Sequence, residues 1–470
     1  MRSDSRTAET ARRRHHRRHR RRRRHARHPR TPVYRGRFGP EQAERLLWRA
    51  GFGPKPGQAE ALARKGLERA VHWLTHPPKE RLRGPSPHDS DGHPLAPADA
   101  WGHDHLWWLD RMVRTNRPLV ERMTLVWHDW FATSNDGVGS QRLMLHQNRL
   151  FRQNALGSFA KLLAGVTRDP AMLIWLSGVE NTKEAPNENY GRELMELFTL
   201  GAGRGYTEND VREQARALTG FRNEWDDGIG PHNFHFEREF HDAGVKRILG
   251  KRGRFDWRDS CRLCLTHGAH PSFFVEKLWS YFIPAPPGRH TLRALERLYI
   301  GRNYAVRPVV EAILLHPRLY EGPRMVKPPV VYTAGLLRGM RRGVDTDSWT
   351  WIGHLMGQQL FRPPNVAGWD DARWLDSGTW RGRWHAASEA IGERRISDDD
   401  GYRPDDPKQA VDRALAFWGN PAISRRTRAS LLAFARRVET GATDSWQSYP
   451  ILRQNALRML VATSPDLQTC

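Results

Sequence analysis

The sequence predicts a mostly α-helical fold, and three observations lead to that prediction. From Asp104 onward, apolar residues recur every three or four positions through most of the chain, which is the period of a helix with one buried face. Asn, Asp, Thr and Pro precede or open several of these stretches, and Gly follows some of them, as helix termini prefer. Only the region from Asn233 to Leu249 has a strand-like pattern, so we expect at most a small β-hairpin.

The predicted elements begin at Pro40, which suits a first helical turn, and Gly51 suits the end of that helix. A second helix is predicted from Gly57 to Leu74, and residues 77–100 form a loop rich in Pro, Asp, His and Gly. Two apolar stripes between 104 and 130 follow. Further helices are predicted at 141–155, 158–166, 187–200, 207–219, 258–266, 271–282, 290–301, 305–315, 327–341, 346–359, 406–417, 424–437 and 452–462. Asn233 to Phe240 and Lys246 to Leu249 are predicted to pair as a hairpin.

Charge divides the chain into a basic arm over residues 1–35 and one helical domain over residues 36–470. The net charge is +24, and residues 1–30 supply +12 of it, from fourteen Arg against Asp4 and Glu9. Self-repulsion and the lack of apolar residues predict a disordered arm. Such an arm would bind an anionic polymer, nucleic acid included, without sequence preference. Translation from a wrongly assigned start codon is the alternative explanation of the arm.

Two further features bear on compartment. The best apolar stretch, Ala171 to Val179, is far shorter than the ~20 residues that span a bilayer, so no membrane span is expected. No apolar segment follows the arginines of the arm, so no export signal is expected and a cytoplasmic location is the default. The three cysteines exclude a disulfide scaffold. Cys261 and Cys264 have redox or zinc-ligand spacing, but no second pair accompanies them, which favours two small buried residues on a helix.

The segment from Asn187 to Gly201 carries the strongest hypothesis about chemistry. As one helix it has an apolar arc with Tyr190, Leu194, Leu197 and Phe198, and an opposite arc with Glu188, Arg192, Glu196 and Thr199. Arg192 could then meet a carboxylate one turn before it and one turn after it. Glu193 lies between the arcs, where loss of water should raise its pKa, so it is the first candidate for proton chemistry.

Carboxylates and tryptophans therefore define the candidate site. Two carboxylates facing one cleft can hydrolyse a glycosidic bond, and the tryptophans between 369 and 384 could stack on sugar rings or, alternatively, fill the core. No nucleotide-binding or hydrolase motif is present, so no cofactor is expected. His128, His146, His235, His241 and Asp242 have no ligand spacing, so no metal site is predicted. The candidate catalytic residues are Glu193, Glu196 and Asp242, and the candidate substrate-binding residues are Arg192, Glu188, His128, His241 and Trp369.

Several segments, in this order, resemble one large bacterial family, the domain-of-unknown-function family numbered 1800. The resemblance runs from about Phe38 to the C-terminus, and it implies a mostly helical protein. It also implies a partner encoded nearby, with an alkaline-phosphatase-like fold, and relatives that often look exported. This chain departs from the family at Trp130, where relatives often carry a second His. The segments are Trp127 to Phe131, Asp169 to Leu173, Asn187 to Gly201, Tyr206 to Val211, Ala217 to Phe221, His241-Asp242, Gly357-Gln358 and Pro363 to Trp369.

Three functional hypotheses follow from these residues. The first is a hydrolase acting on an envelope or extracellular polymer, which expects a cleft where Glu193, Arg192 and either Asp242 or His128 converge beside Trp. The second is a non-enzymatic binding or assembly protein, in which the same Glu and Arg side chains pair fully and join helices. The third is polyanion or nucleic-acid binding through the N-terminal arm.

Overall fold

Helices account for most of the described chain, as the sequence predicts. The computed structural model describes residues 31–397, 400, 406–439 and 449–470. Most of the predicted basic arm, residues 1–30, lies outside the described residues. Within the described ranges, no helix is both long enough and apolar enough to cross a membrane.

From residue 31 to the first strand, the described chain forms eleven α-helices and one π-helical turn. Their starts follow the sequence closely, since Pro40, Pro118 and Pro170 each open a helix, and Ser140, Asp169 and Thr207 each cap one with a side chain. The helices are α1 Pro40–Arg49, α2 Gln58–Ala63, α3 Leu67–Thr75, α4 His103–Arg114, α5 Pro118–Trp130, α6 Asn135–Val138, α7 Gln141–Gln153, α8 Phe159–Thr167, α9 Pro170–Trp175, α10 Asn189–Glu193 and α11 Glu208–Ala217; the π-helical turn is Leu194–Thr199.

Four short strands follow and form two antiparallel hairpins. Strand β1 (Phe221–Asp226) pairs with β2 (Gly230–Phe236), and β3 (Lys246–Ile248) pairs with β4 (Lys251–Gly253). The predicted pairing of 233–240 with 246–249 is therefore wrong. The turn before β2 explains the difference, because Asp226 accepts hydrogen bonds from the N–H groups of Gly228 and Ile229 and reverses the chain there.

The rest of the chain returns to helices. A predicted helix over 346–359 ends early, at Leu355, because Gly357 adopts a φ of +81°. Short 3₁₀ turns lie at Arg238–Phe240, Asp371–Arg373 and Gly392–Arg394. The helices are α12 Trp257–Thr266, α13 His270–Ser280, α14 Arg289–Gly301, α15 Val306–Leu314, α16 Pro317–Glu321, α17 Pro329–Met340, α18 Ser348–Leu355, α19 Ser377–Ile391, α20 Pro407–Phe417, α21 Arg425–Glu439, α22 Tyr449–Ala462 and α23 Pro465–Gln468.

Two large apolar clusters form the core, and α5 contributes to both. Trp127 and Trp130 belong to the cluster built mainly around α1, α8 and α13 to α15. Leu125 belongs to the second cluster, which contains α4 and α17 to α22. The half-buried Trp175 and Phe234 also pack against both clusters. Because α5 lies where the two clusters meet, its last turn can reach segments that are distant in sequence.

Candidate functional site

Three consecutive residues at the end of α5 join three distant segments. The N–H of Phe361 donates to His128 Nε2 over 3.1 Å, and the N–H of Trp369 donates to Asp129 Oδ1 over 2.9 Å. Trp130 Nε1–H donates to the carbonyl of Phe198, 3.1 Å away. The segments around 128, 198 and 369, which carry the family resemblance, therefore meet in one place.

Burial shifts the pKa values of the two ionisable groups at this junction, His128 and Asp129, toward their uncharged forms. Burial lowers the pKa of His128 to about 3, so its imidazole is neutral and its Nε2 is already occupied as an acceptor. Burial also raises the pKa of Asp129, although the hydroxyl of Tyr281, 2.6 Å from Oδ2, and the N–H of Trp369 oppose that rise. His128 therefore lies in the core beside the Trp369 ring, 5.3 Å between centroids, and its hydrogen-bond partner is Phe361 rather than Glu193 or Arg192.

The α10 segment places Glu193 at a half-buried position. Burial, and then the neighbouring Glu196 carboxylate, raise the pKa of Glu193, while Arg192 opposes the rise. The direction is the one that the sequence predicts. Among the described residues no donor hydrogen-bonds to the Glu193 carboxylate, so it is free to hold or release a proton.

Arg192 finds different partners from those expected. It reaches back to Glu188 over 3.1 Å, as predicted, but its other partner is Glu208 of α11, at 2.8 Å, and not Glu196. These side chains are between a third and two thirds exposed, so water screens the ion pairs and each contributes little to stability. Glu196 accepts a hydrogen bond from the Tyr206 hydroxyl instead, over 3.1 Å.

The π-helical turn explains this exchange of partners. Leu200 N–H bonds to the Met195 carbonyl, five residues back, so the turn is wider than that of an α-helix and rotates Glu196 away from Arg192. Long-range donors hold the carbonyls at the end of the turn. These donors are Lys277 to Leu197, Trp130 to Phe198 and His270 to Thr199, at 3.0, 3.1 and 2.9 Å.

Asp242 lies apart from the other candidate carboxylates. Burial raises its pKa, but the Arg216 guanidinium, 2.7 Å away, and the N–H of Gly244 hold the net pKa below its ordinary value. Arg216 is at the end of α11, whereas Glu208, the partner of Arg192, is at its start, roughly 12 Å away along the helix. The structure therefore does not bring Asp242 into one cleft with Glu193.

The remaining histidines of the sequence hypothesis are also separate from one another. His241 Nδ1 lies 3.0 Å from the Thr219 carbonyl, and burial lowers its pKa. His146 lies 3.5 Å from Asp169, and His235 lies 2.6 Å from Glu237. Each ring has its own local partner, so these residues form no common ligand set.

A groove of about 1090 Å³ lies beside α18 and α19, and we call it the tryptophan groove. Trp101 and Trp351 line it with side chains that are 66% and 45% exposed. Trp369 and Trp374 lie deeper in its wall, and within the described chain neither indole N–H has an acceptor. Two exposed indoles and two buried ones therefore line one groove. The polar side chains that share the lining include Asp136, Arg362, Asp370, Arg373, Asp376 and Arg381.

Local sequence explains how the tryptophan groove is shaped. Gly382 allows α19 to approach α18, because a Cβ there would meet the backbone of Leu355 at 2.7 Å. Asp376 caps α19 by accepting from the Thr379 N–H over 2.9 Å, which fixes the helix start at the groove edge. Arg362 forms an ion pair with Asp136 across the groove. The floor is therefore made by close helix packing, and the rim by caps and an ion pair.

A second cavity continues the tryptophan groove. It measures about 510 Å³, shares Arg362 with the first, and reaches Ile229 at the tip of the first hairpin. Arg142 of α7 donates to the carbonyls of Ile229 and Pro231, at 2.9 and 3.1 Å, and anchors that tip. The two cavities are therefore neighbours on either side of Arg362.

The sequence hypothesis identified part of this site and missed the rest. Trp369 was named, and it lines the groove, although it is only 9% exposed. Trp101 and Trp351 were missed because they come from segments 250 residues apart in the sequence. The available signal was the position of Trp101, which directly follows the predicted loop over residues 77–100 and precedes the first apolar stripe that begins at Asp104.

The cysteine pair is structural rather than reactive. Cys261 and Cys264 are buried on α12, and burial raises the thiol pKa values to about 11 and about 12. Cys261 Sγ lies 3.1 Å from the Thr167 hydroxyl, and Gln214 donates to Cys264 Sγ over 3.1 Å.

The comparisons with known proteins identify a family and no relative of known function. The model of a family described as "Protein of unknown function (DUF1800)" matches residues 45–469. No curated protein and no solved structure matches the chain.

Proposed function

We propose that this protein, which belongs to the DUF1800 family, binds a carbohydrate polymer along the tryptophan groove. The observation that carries the proposal is the exposure of Trp101 and Trp351 in one groove with charged side chains. Single exposed apolar residues are ordinary, whereas exposed aromatic side chains that share one groove with polar groups are typical of a binding surface.

The groove lining combines aromatic rings with charged side chains, and a sugar can bind to both. The C–H faces of a pyranose ring are apolar and flat, so they stack on indole faces, as at Trp101 and Trp351. The hydroxyl groups around the ring both donate and accept hydrogen bonds. Asp370, Asp376 and Arg373 supply acceptors and donors at the rim.

The size of the groove supports a polymer rather than a single sugar. The tryptophan groove alone reaches the upper end of the usual volume of a small-ligand pocket, and the second cavity lies next to it, on the other side of Arg362. Both cavities are open at the surface, so a chain could lie along them without threading.

The test is binding of the purified protein to a panel of bacterial envelope and exopolysaccharides by affinity electrophoresis and calorimetry. Trp351→Ala should weaken the Kd about 5-fold to 10-fold, from about 1 kcal/mol of lost stacking. Trp384→Ala is the matched control, because Trp384 is exposed to the same degree, 46% against 45%, but does not line the groove. Equal loss in both variants, or no binding to any polymer, would refute the proposal.

A second proposal is that the protein hydrolyses such a polymer, with Glu193 as the acid. A half-buried carboxylate with a raised pKa and no hydrogen-bond donor from the described residues favours it. Glu196, held by Tyr206, would be its neighbouring carboxylate. The structure does not pair Glu193 with Asp242, so the two-carboxylate form of the hypothesis rests on Glu193 and Glu196.

Glu193→Gln tests the hydrolase proposal on polysaccharide and phosphoester panels, with Glu208→Gln as the control on the exposed ion pair. A hydrolase should lose activity about 100-fold or more in the first variant only. Because Glu193 does not line the tryptophan groove, polymer binding should survive this substitution. Unchanged hydrolysis would remove Glu193 from the reaction. Absence of any hydrolysis would leave the non-enzymatic binding role.

The proposals about partners concern other surfaces. The basic arm would bind anionic polymers in a salt-dependent way, and deletion of residues 1–33 should then abolish binding to nucleic acid. A protein with an alkaline-phosphatase-like fold, encoded nearby, would be captured by this chain in a pull-down of the co-expressed pair. Neither outcome depends on the tryptophan groove.

A further inference from the structure

A histidine pair and a carboxylate lie together at the end of α3, far from the groove residues in sequence. His72 and His76 are four residues apart, so a helix places them on the same face, and their rings stack with centroids 4.0 Å apart. Glu311, on α15, reaches the same place from the opposite element. One nitrogen from each ring and one carboxylate oxygen all lie within 4.8 Å of one another.

The separations suit a small transition-metal cation. Metal–ligand distances of about 2.0–2.1 Å at a tetrahedral ion place neighbouring ligand atoms about 3.4 Å apart. His76 Nδ1 already lies 3.5 Å from Glu311 Oε1. His72 is exposed and its ring stacks on that of His76, so a small change of its side-chain torsions would bring its nitrogen to the same ion.

The surroundings favour a cation over an ordinary ion pair. The Thr75 hydroxyl donates to Glu311 Oε1 over 2.8 Å, which orients the carboxylate and leaves a second lone pair on Oε1, the oxygen 3.5 Å from His76 Nδ1. The group also sits at the C-terminus of α3, where the last carbonyls carry partial negative charge. Two imidazoles and one carboxylate are a donor set that zinc accepts, whereas Mg²⁺ and Ca²⁺ prefer oxygen ligands.

We propose that His72, His76 and Glu311 bind one zinc ion, which clips α3 to α15. The ion would join two helices that are distant in sequence, since Thr75 and Glu311 are 236 residues apart. A water molecule would be its fourth ligand. The clip stabilises the first apolar cluster, to which both helices contribute. The proposal is independent of polymer binding in the tryptophan groove.

Calorimetry with ZnCl₂ on the full chain tests the site. His72→Ala and Glu311→Gln should each weaken the binding of one zinc ion about tenfold or more, since each removes one of three protein ligands. Both substitutions are at partly or fully exposed positions, so the variants should fold. The five histidines of residues 1–30 are present in every variant, so any zinc they bind is common to all.

His93→Ala is the matched control. His93 is also exposed and also lies 3.5 Å from a carboxylate, that of Asp89, but it lacks the second imidazole. The control should bind zinc as the unmodified chain does. A second measurement is thermal unfolding, in which excess Zn²⁺ should raise the Tm by about 2 °C or more and Mg²⁺ should not. Zinc binding and a Tm rise that are the same in His72→Ala as in the unmodified chain would overturn the proposal.

Discussion

Asp129 joins the Pro363–Trp369 loop to Tyr281 at the end of α13, and its removal should lower the free energy of unfolding. Its carboxylate accepts from the Tyr281 hydroxyl at 2.6 Å and from the Trp369 N–H at 2.9 Å. A hydrogen bond to a charged acceptor contributes about 1.5–3 kcal/mol, so the two together contribute about 3–6 kcal/mol. Burial of the charge, which raises the pKa of Asp129, offsets part of that.

We therefore expect Asp129→Ala to lower the free energy of unfolding by about 3 kcal/mol at pH 7. Asp129→Asn should cost only about 1 kcal/mol, because its amide oxygen still accepts from Trp369 and the buried charge is gone. Tyr281→Phe removes one bond and should cost about 1–2 kcal/mol. Urea denaturation, followed by circular dichroism, measures all three.

The pH dependence separates charge from hydrogen bonding. Burial raises the pKa of Asp129 in the folded state above its ordinary value of 3.8. The protonated group therefore favours the folded state fully at a pH below 3.8, and this contribution to the free energy of unfolding is lost as the pH rises through the folded-state pKa. The unmodified protein should thus gain stability relative to Asp129→Asn as the pH falls toward 3.8. If Asp129→Ala costs less than about 1 kcal/mol, or if Asn is as harmful as Ala, the reasoning about this junction is wrong.

Three further variants follow from the same kind of argument. Gly368→Ala should lower the free energy of unfolding by about 2–4 kcal/mol in urea denaturation, because φ is +96° and a Cβ would press on the Asp129 carboxylate. The control is Gly378→Ala, at a helical position of ordinary φ, which should not destabilise the protein. Asp104→Asn should raise stability at pH 7 by about 2–3 kcal/mol, since burial raises the Asp104 pKa to about 6, and the gain should vanish at pH 4. Glu121→Gln should cost about 3–5 kcal/mol, measured by the same denaturation, because it leaves the buried end of Arg152, 2.7 Å away, without its charged partner.

Local rules were enough to predict most helices. Thr207 caps α11, as expected of a Thr that precedes a helix with an acidic first turn; the Asp210 N–H donates to the Thr207 hydroxyl, and the Thr207 N–H donates to the Asp210 carboxylate in return. Pro40 opens α1 as predicted. These signals are contained within a few residues, so periodicity and caps recover them without knowledge of the fold.

Neither the π-helical turn nor the strand pairing could be predicted that way. The turn exists where Lys277, Trp130 and His270, from two other helices, take three successive carbonyls, and no local pattern encodes those partners. As a result, the prediction that Arg192 pairs with Glu196 was wrong, although the pairing with Glu188 was confirmed. A single turn that contains one extra residue changes the 3.6-residue pattern of apolar positions too little to be detected from the sequence.

The candidate site illustrates the same limit at larger scale. Sequence reasoning selects residues by chemistry and by position along one helix, so it gave most weight to Glu193 and its neighbours. The tryptophan groove is instead built where α18 packs on α19 through Gly382, beside a loop that Asp129 holds in place from α5. Since that loop carries Trp369 into the groove wall, a substitution at Asp129 should weaken polymer binding as well as folding, while Trp351→Ala should affect binding alone. This difference between the two variants would show whether the joined segments support a binding surface or only the fold.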